Sequence, residues 1–218
     1  MLPAIVIASH KRQEITEHLI TSLFANQGPV WVILCVSDFN EYNYFKKITN
    51  PNFRLVKFPN NPLGAKWQRA VDESRKVNPT SVIILGSDDR INPGFVSNAT
   101  KYIDQGFNFV GLKRYEVINQ GHKYLIDYKP IMPLGGGRVY SARLLDSIGW
   151  KLFVNKEKQL DDYGWERVQK SGTRMLLVKD IYKAGLIITA IKGNWPMMNK
   201  FDPNHRNLTI IKKEPCAE

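Results

Sequence analysis

The chain has 218 residues, of which 43% are hydrophobic and 23% charged, the balance of one sizeable globular domain with a core of its own. Its 31 Lys and Arg against 20 Asp and Glu leave a net charge of +11, which favours an anionic partner: nucleic acid, an acidic membrane surface or a phosphorylated small molecule. The basic residues are spread from Lys11 to Lys213 with no run that reads as a nucleic-acid arm. Cys35 and Cys216 are the only cysteines, so no disulfide framework is expected. No secretory leader or membrane-length apolar stretch is seen, and the expectation is a cytoplasmic protein without a membrane span.

Ala4 to Ala8 (AIVIA) reads as a short buried strand ended by Ser9, His10, Lys11 and Arg12. A helix follows over about residues 13–25, with Ile15, Leu19, Ile20, Leu23 and Phe24 near helical spacing. Val30 to Val36 is a second buried strand, closing on Ser37 and Asp38, and Glu41 to Ile48 suggests a short helix. Phe53 to Phe58 alternates like a strand; Asn60 to Leu63 is a turn, and Gly64 opens a helix to about Lys76. The run from Val82 to Leu85 reads as a strand buried on both faces, and a helix is expected over about residues 93–105. Four strand–helix repeats predict a mostly parallel sheet with helices on both faces, and such a sheet places its ligand crevice at the carboxyl ends of the strands.

The second half reads differently. Phe109 to Arg114 and Glu116 to Asp127 look like strands, with Asn119-Gln120-Gly121 a hairpin turn. Pro130 to Pro133 leads to a glycine run, Gly135 to Gly137, and a helix over residues 141–148 has Ser141 as N-cap and Gly149 as its stop. Residues 159–170 form a further helix candidate, residues 174–178 and 186–190 read as strands, and the tail from Asn194, with Trp195-Pro196, as irregular.

Asp88 and Asp89 follow the Val82 strand directly after Gly86 and Ser87. Two readings stand: a polar turn whose aspartates bond backbone N–H groups, or hard oxygen ligands holding Mg²⁺ or Mn²⁺ against phosphate oxygens. Asp161 and Asp162 form a second pair, suited either to proton abstraction or to the positive end of a helix dipole. No Walker loop, dinucleotide glycine pattern, zinc spacing or serine-hydrolase elbow occurs.

The stretches AIVIASHKR, VSD, NNPLGAKWQRAV, ILGSDDRINPGF, PLGGGRVYSARLLDSIGW and LDDYGWERVQKSG resemble, in order, those of GT-A fold glycosyltransferases of the large family-2-like group with an Asp-x-Asp signature. A looser resemblance is to enzymes of large algal DNA viruses that glycosylate their own capsid protein, which would work in the host cytoplasm. The resemblance implies a single GT-A domain over residues 1–218, with a nucleotide-binding half to residue 106 and an acceptor and catalytic half from 107. It implies transfer of a sugar from a UDP-sugar to a glycan or glycoprotein acceptor, with Mn²⁺ or Mg²⁺ and no nucleic acid.

Residue by residue, the resemblance sets Ser9, His10 and Arg12 around the nucleotide, Asp38 on the base or ribose, and Lys66 near the base or diphosphate. Asp88 falls on the ribose or donor sugar and Asp89 on the metal; Ser87 stands where the pattern has its first aspartate, so a further ligand is needed. His205 is the candidate, beside an equally available Asp202 and the alternative of a solvated tail histidine. Gly136 and Gly137 lie under the donor sugar or form a hinge. Asp162 or Asp161 is the base for the acceptor hydroxyl, and Trp165 stacks on a sugar or belongs to the core. Two rivals remain: a nucleotidyltransferase, which would carry a glycine-rich basic loop after the first strand, and a nucleic-acid binder, which leaves the acidic pairs unexplained because carboxylates repel phosphate.

Overall fold

Apolar side chains on both faces of a strand demand cover on both sides, and the architecture supplies it. The structure, a computed structural model, describes residues 1–129, 132–192, 201–205 and 207–216. In chain order the first half contains β1 (Ala4–Ala8), α1 (Gln13–Asn26), β2 (Trp31–Val36), α2 (Phe39–Phe45), β3 (Phe53–Lys57), α3 (Leu63–Arg75), β4 (Ser81–Gly86), β5 (Asp89–Ile91) and α4 (Phe95–Asp104). The second half contains β6 (Phe109–Leu112), β7 (Arg114–Asn119), β8 (His122–Tyr128), β9 (Arg138–Ser141), α5 (Ala142–Ser147), α6 (Leu160–Lys170), β10 (Met175–Val178), α7 (Ile181–Ala184), β11 (Ile188–Lys192) and β12 (Leu208–Pro215).

A seven-stranded sheet runs in the order β10-β6-β9-β4-β1-β2-β3. β1 pairs in parallel with β2 and β4, and β2 with β3. Alternate residues of the central strands enter two different cores. Ile5, Ile7, Val32, Leu34, Ile83 and Leu85 pack on one side with Leu19 and Leu23 of α1 and Phe95 of α4. Ala4, Val6, Ile33, Cys35, Val82 and Ile84 pack on the other with Ala70 and Val71 of α3, Leu144 of α5 and Val168 of α6. Each such Val, Leu, Ile or Phe side chain contributes about 1.5–3 kcal/mol when fully buried, so the sheet is stabilised from both faces. This is a GT-A-like mixed α/β architecture, a mostly parallel sheet flanked by helices.

The smaller sheet has five strands, β12-β8-β7-β11-β5, over a minor core of Val117, Tyr124, Ile126 and Ala190. Four expectations change. β5 begins at Asp89 itself, so the acidic turn spans only Ser87 and Asp88 before a new strand starts. The glycine run feeds β9, which inserts antiparallel between β4 and β6. The second-half strand boundary falls at Lys113, between β6 and β7. Part of the expected irregular tail is β12, paired antiparallel with β8 from Leu208 to Pro215; Asn194 and Trp195-Pro196 lie outside the described residues. Among the described residues no helix is long and apolar enough to cross a membrane.

Candidate active site

The carboxyl ends of β1 and β4 open into a cavity of about 300 Å³ lined by Ser9, His10, Arg12, Lys66 and Asp88. Lys66 is fully buried on α3, and its Nζ donates to Ser9 O, Ser37 Oγ and, at 3.2 Å, Asn60 Oδ1. All three partners are neutral oxygens. Burial therefore lowers the Lys66 ammonium to about 8, because water no longer solvates its charge. Burial together with the Lys66 charge also lowers the His10 imidazole below its ordinary range.

Glu41, 1% exposed, holds the same strand ends from the other side. It accepts from Ser9 Oγ at 3.1 Å, from the Arg12 N–H at 3.4 Å and from the Ser37 N–H at 3.3 Å. Asp38 caps α2 by accepting the Glu41 N–H at 2.9 Å. His10, Asp38 and Glu41 bring ligand atoms within 4.8 Å of one another. Backbone and hydroxyl donors already occupy the Glu41 carboxylate, so this cluster serves as a hydrogen-bonded frame for the strand ends rather than as an open ion site. Asp38 is not among the residues lining the cavity; its observed work is the helix cap.

At the end of β4 the two aspartates face different surroundings. Asp88 accepts Arg12 Nη1 at 3.3 Å and is also paired with Lys192 Nζ, while Arg12 Nη1 reaches Ser87 Oγ at 3.2 Å. Asp89 is 8% exposed and accepts the Gly86 N–H at 2.7 Å. Burial first, and the neighbouring Asp88 charge second, push the Asp89 carboxyl up to about 7.

The glycine run is pressed against carboxylates. A Cβ at Gly135 would lie 2.5 Å from Asp161 Oδ2, and one at Gly136 2.7 Å from Asp89 Oδ2. Gly137 has φ +75°, a conformation that side-chain-bearing residues rarely adopt. The backbone here approaches both acids as only glycine permits. Asp161, Asp89, Gly135 and Gly136 all line a second cavity of about 460 Å³ that also reaches Tyr128 and His205. They line a third as well, which runs to the stacked pair Trp67 and Phe153, with ring centroids 5.5 Å apart.

Asp162, the neighbour of Asp161 in the first turn of α6, is exposed and lines none of these three cavities. His205 and Asp202, both exposed, line the larger cavity with Asp89. Trp165 is 8% exposed and packs on Phe109 with centroids 5.7 Å apart, which makes it a core residue rather than a sugar platform.

Three positions carry the site without having been singled out in the sequence. Arg138, 2% exposed, donates to Leu134 O at 2.6 Å, Pro133 O at 2.8 Å and Asp161 O at 3.0 Å, fixing the glycine run to the start of α6. Glu41 ties the ends of β1 and β2 together, and Lys192 closes on Asp88 from β11. Lys192 ends the largely apolar run from Leu186, which was a signal available in sequence; Glu41 and Arg138 stand in no such run.

A divalent ion is implied by the fold, and the donor set fits one. Asp89 is a buried carboxylate whose ionised form is disfavoured by burial and by the neighbouring Asp88 charge, and it opens on a cavity that also presents His205. Oxygen with one imidazole is a ligand set acceptable to Mn²⁺.

The fold is similar to that of S. aureus TarS 1-349 in complex with UDP-GlcNAc, at a TM-score of 0.70 and 15% identity, over 88% of this chain and 59% of that one. It is also similar to S. aureus TarS 1-349 in complex with UDP, at 0.64 and 15% identity, over 88% and 61%. The chain thus spans about 60% of the length of these structures. No curated protein sequence matches it, and none of these likenesses supports a capsid-glycosylating viral enzyme. The family model described as "Glycosyl transferase family 2" matches residues 4–185, which covers β1, the acidic turn, the glycine run and α6 in one stretch; the chain belongs to that family.

Proposed function

We propose that the chain transfers a sugar from a nucleotide-diphosphate donor, a UDP-sugar, to a hydroxyl of a glycan or glycoprotein, with inversion and with Mn²⁺ or Mg²⁺. The observation that carries this reading is the convergence of Asp89 and Asp161 on Gly136 and Gly135, where two cavities meet. The family match and the UDP and UDP-GlcNAc complexes of the similar TarS structures support the donor class.

In this reading the nucleoside occupies the smaller cavity among Ser9, His10, Arg12 and Asp88, over the floor built by Lys66 and Glu41. The glycine backbone lets the donor sugar lie between Asp89 and Asp161. The acceptor hydroxyl loses its proton to Asp161 as its oxygen attacks the anomeric carbon, and the bond to the diphosphate oxygen breaks with the electron pair leaving on the diphosphate. Asp161 suits the base role better than Asp162 because it is the one on the cleft. Arg138 holds its main chain still, so that the carboxylate is positioned before the acceptor arrives. Asp89, with His205 across the cavity, would hold the metal ion, which acts as a Lewis acid on the departing diphosphate.

Release of UDP from a panel of nucleotide sugars, with and without Mn²⁺, tests donor class and cofactor together. Asp89→Asn should abolish release while leaving the fold intact, and full activity in that variant overturns the metal assignment. Asp161→Asn should keep donor binding and lose transfer, whereas Asp162→Asn should retain most of it.

A further inference from the structure

The third cavity, of about 420 Å³, has a wall that the chemistry above does not use. Trp67 on α3 and Phe153, in the segment between α5 and α6, both line it, their rings stacked 25° from parallel. Glu157, Lys158 and Gln159 add polar groups to the same lining. An apolar wall with a few polar groups around it is the usual make-up of a small-molecule site.

The wall is held from behind. Gln68, the residue after Trp67, donates from Nε2 to Trp150 O at 2.7 Å, and its Oε1 accepts the N–H groups of Leu152 and Phe153, each at 3.0 Å. The Gly64 N–H donates to Lys156 O at 2.9 Å, and Val154 O lies so near that Gly64 has no room for a Cβ. The segment that carries Phe153 is thus fastened by its backbone to the helix that carries Trp67, which presents the two rings as one surface.

The third cavity shares Leu63, Trp67 and Gly86 with the smaller cavity, and Asp89, Gly135, Gly136 and Asp161 with the larger one. Among the described residues the smaller and larger cavities share no lining residue. The third is therefore the one that joins them. A ligand that starts in the smaller cavity and reaches Asp89 and Asp161 along this connection passes the aromatic wall.

Resting on the sugar-nucleotide donor proposed above, with its nucleoside in the smaller cavity, we propose that the third cavity receives the donor sugar and that Trp67 and Phe153 are specificity-determining residues for it. The C–H face of a pyranose ring lies on the aromatic wall, where apolar surface leaves water and the ring faces carry partial negative charge. The sugar hydroxyls meet the polar lining. The anomeric carbon stays at the end shared with the larger cavity, through which the acceptor enters. A pair that only packs α3 against the segment before α6, or that meets an acceptor sugar, is the alternative to exclude.

The test compares the dissociation constants of UDP, UDP-glucose and UDP-N-acetylglucosamine, at one fixed Mn²⁺ concentration, for the wild-type chain, Phe153→Leu, Phe153→Met and Trp31→Leu. Phe153 lines the third cavity and neither of the other two, so the ratio of sugar nucleotide to UDP isolates its contact with the sugar. Both Phe153 substitutions keep an apolar side chain against the core and remove the ring. Trp31 packs on the same core and lines none of the three cavities. For the sugar nucleotide that wild type binds more tightly, both Phe153 variants should raise the ratio at least about fivefold and change UDP affinity by less than about twofold. Trp31→Leu should leave the ratio as it is. An unchanged ratio in either folded Phe153 variant overturns the sugar wall, as does equal weakening of UDP and the sugar nucleotide, or a wild-type chain that binds UDP but neither sugar nucleotide. A wild-type chain that binds none of the three overturns the donor reading, and the wall with it.

Discussion

At the scale of single residues, the acids of the cleft owe their character to what is packed on them. Gly136→Ala would set a methyl group 2.7 Å from Asp89 Oδ2, and the carboxylate must shift to make room. Overpacking of this kind costs about 1–3 kcal/mol, and donor-dependent UDP release should fall at least tenfold. Gly28→Ala is the control: its φ of +70° makes the change cost about 1 kcal/mol, but nothing lies within 4 Å of the new Cβ, so transfer should be unaffected. Lys66 makes a pH prediction. Its ammonium loses its proton near pH 8 when folded and near 10.5 when unfolded, so between those values the unfolded chain binds more protons and stability rises with pH. The contribution is on the order of 3 kcal/mol. Denaturant unfolding of wild type at pH 7.5, 8.5 and 9.5 should show this rise against Lys66→Met, which removes it.

At the scale of elements, β9 decides where the glycine run and Asp161 sit. It wedges antiparallel between β4 and β6, and its first residue, Arg138, donates to three main-chain carbonyls around the glycine run and α6. Each buried carbonyl left without a donor costs about 1–3 kcal/mol. Arg138→Ala should therefore destabilise the chain by about 3 kcal/mol or more in urea unfolding. Arg138→Lys, able to reach fewer of the three, should fold and lose turnover more than donor affinity.

β9 was invisible in the sequence for a physical reason. Its four residues, Arg138 to Ser141, follow three glycines and are too few to show a period-2 pattern, and the strand exists because β4 and β6 flank it. β5 is too short to show a period. β12 is exposed along most of its length, with Ile210, Ile211, Lys212 and Lys213 adjacent, so no alternation marks a buried face. The first four strand–helix repeats were legible because burial on both faces writes unbroken apolar runs in β1, β2 and β4, half-burial writes alternation in β3, and their helices carry one apolar stripe. In the cleft, Asp89, Asp161 and Gly136 stand out as residue types. Arg138, Glu41 and Lys192 do not, since a lone charge at a strand or helix end has meaning only through partners far away in sequence.

At the scale of the whole molecule, the halves before residue 106 and after residue 107 are not separable bodies. β9, β6 and β10 come from after residue 107 but complete the large sheet beyond β4, while β5, from before residue 106, forms an edge of the small sheet. The Asp88 triad joins the end of β1 to the end of β11 across the same boundary. A fragment of residues 1–106 would leave β4 as an open edge along the positions now paired with β9, and would uncover Ile84 and Val82 where Tyr140 and Leu144 now pack. Such a fragment should not fold, and the full chain should unfold in one transition with matching midpoints by circular dichroism and tryptophan fluorescence. Ligand then stabilises everything or nothing. UDP at one hundred times its dissociation constant adds about 2.7 kcal/mol, a rise of about 5–11 °C for a chain of this size. That rise should appear as a shift of the whole transition. A second transition left at the ligand-free temperature would mean that the interleaved strands do not couple the halves, and that the cleft is closed by only one of them.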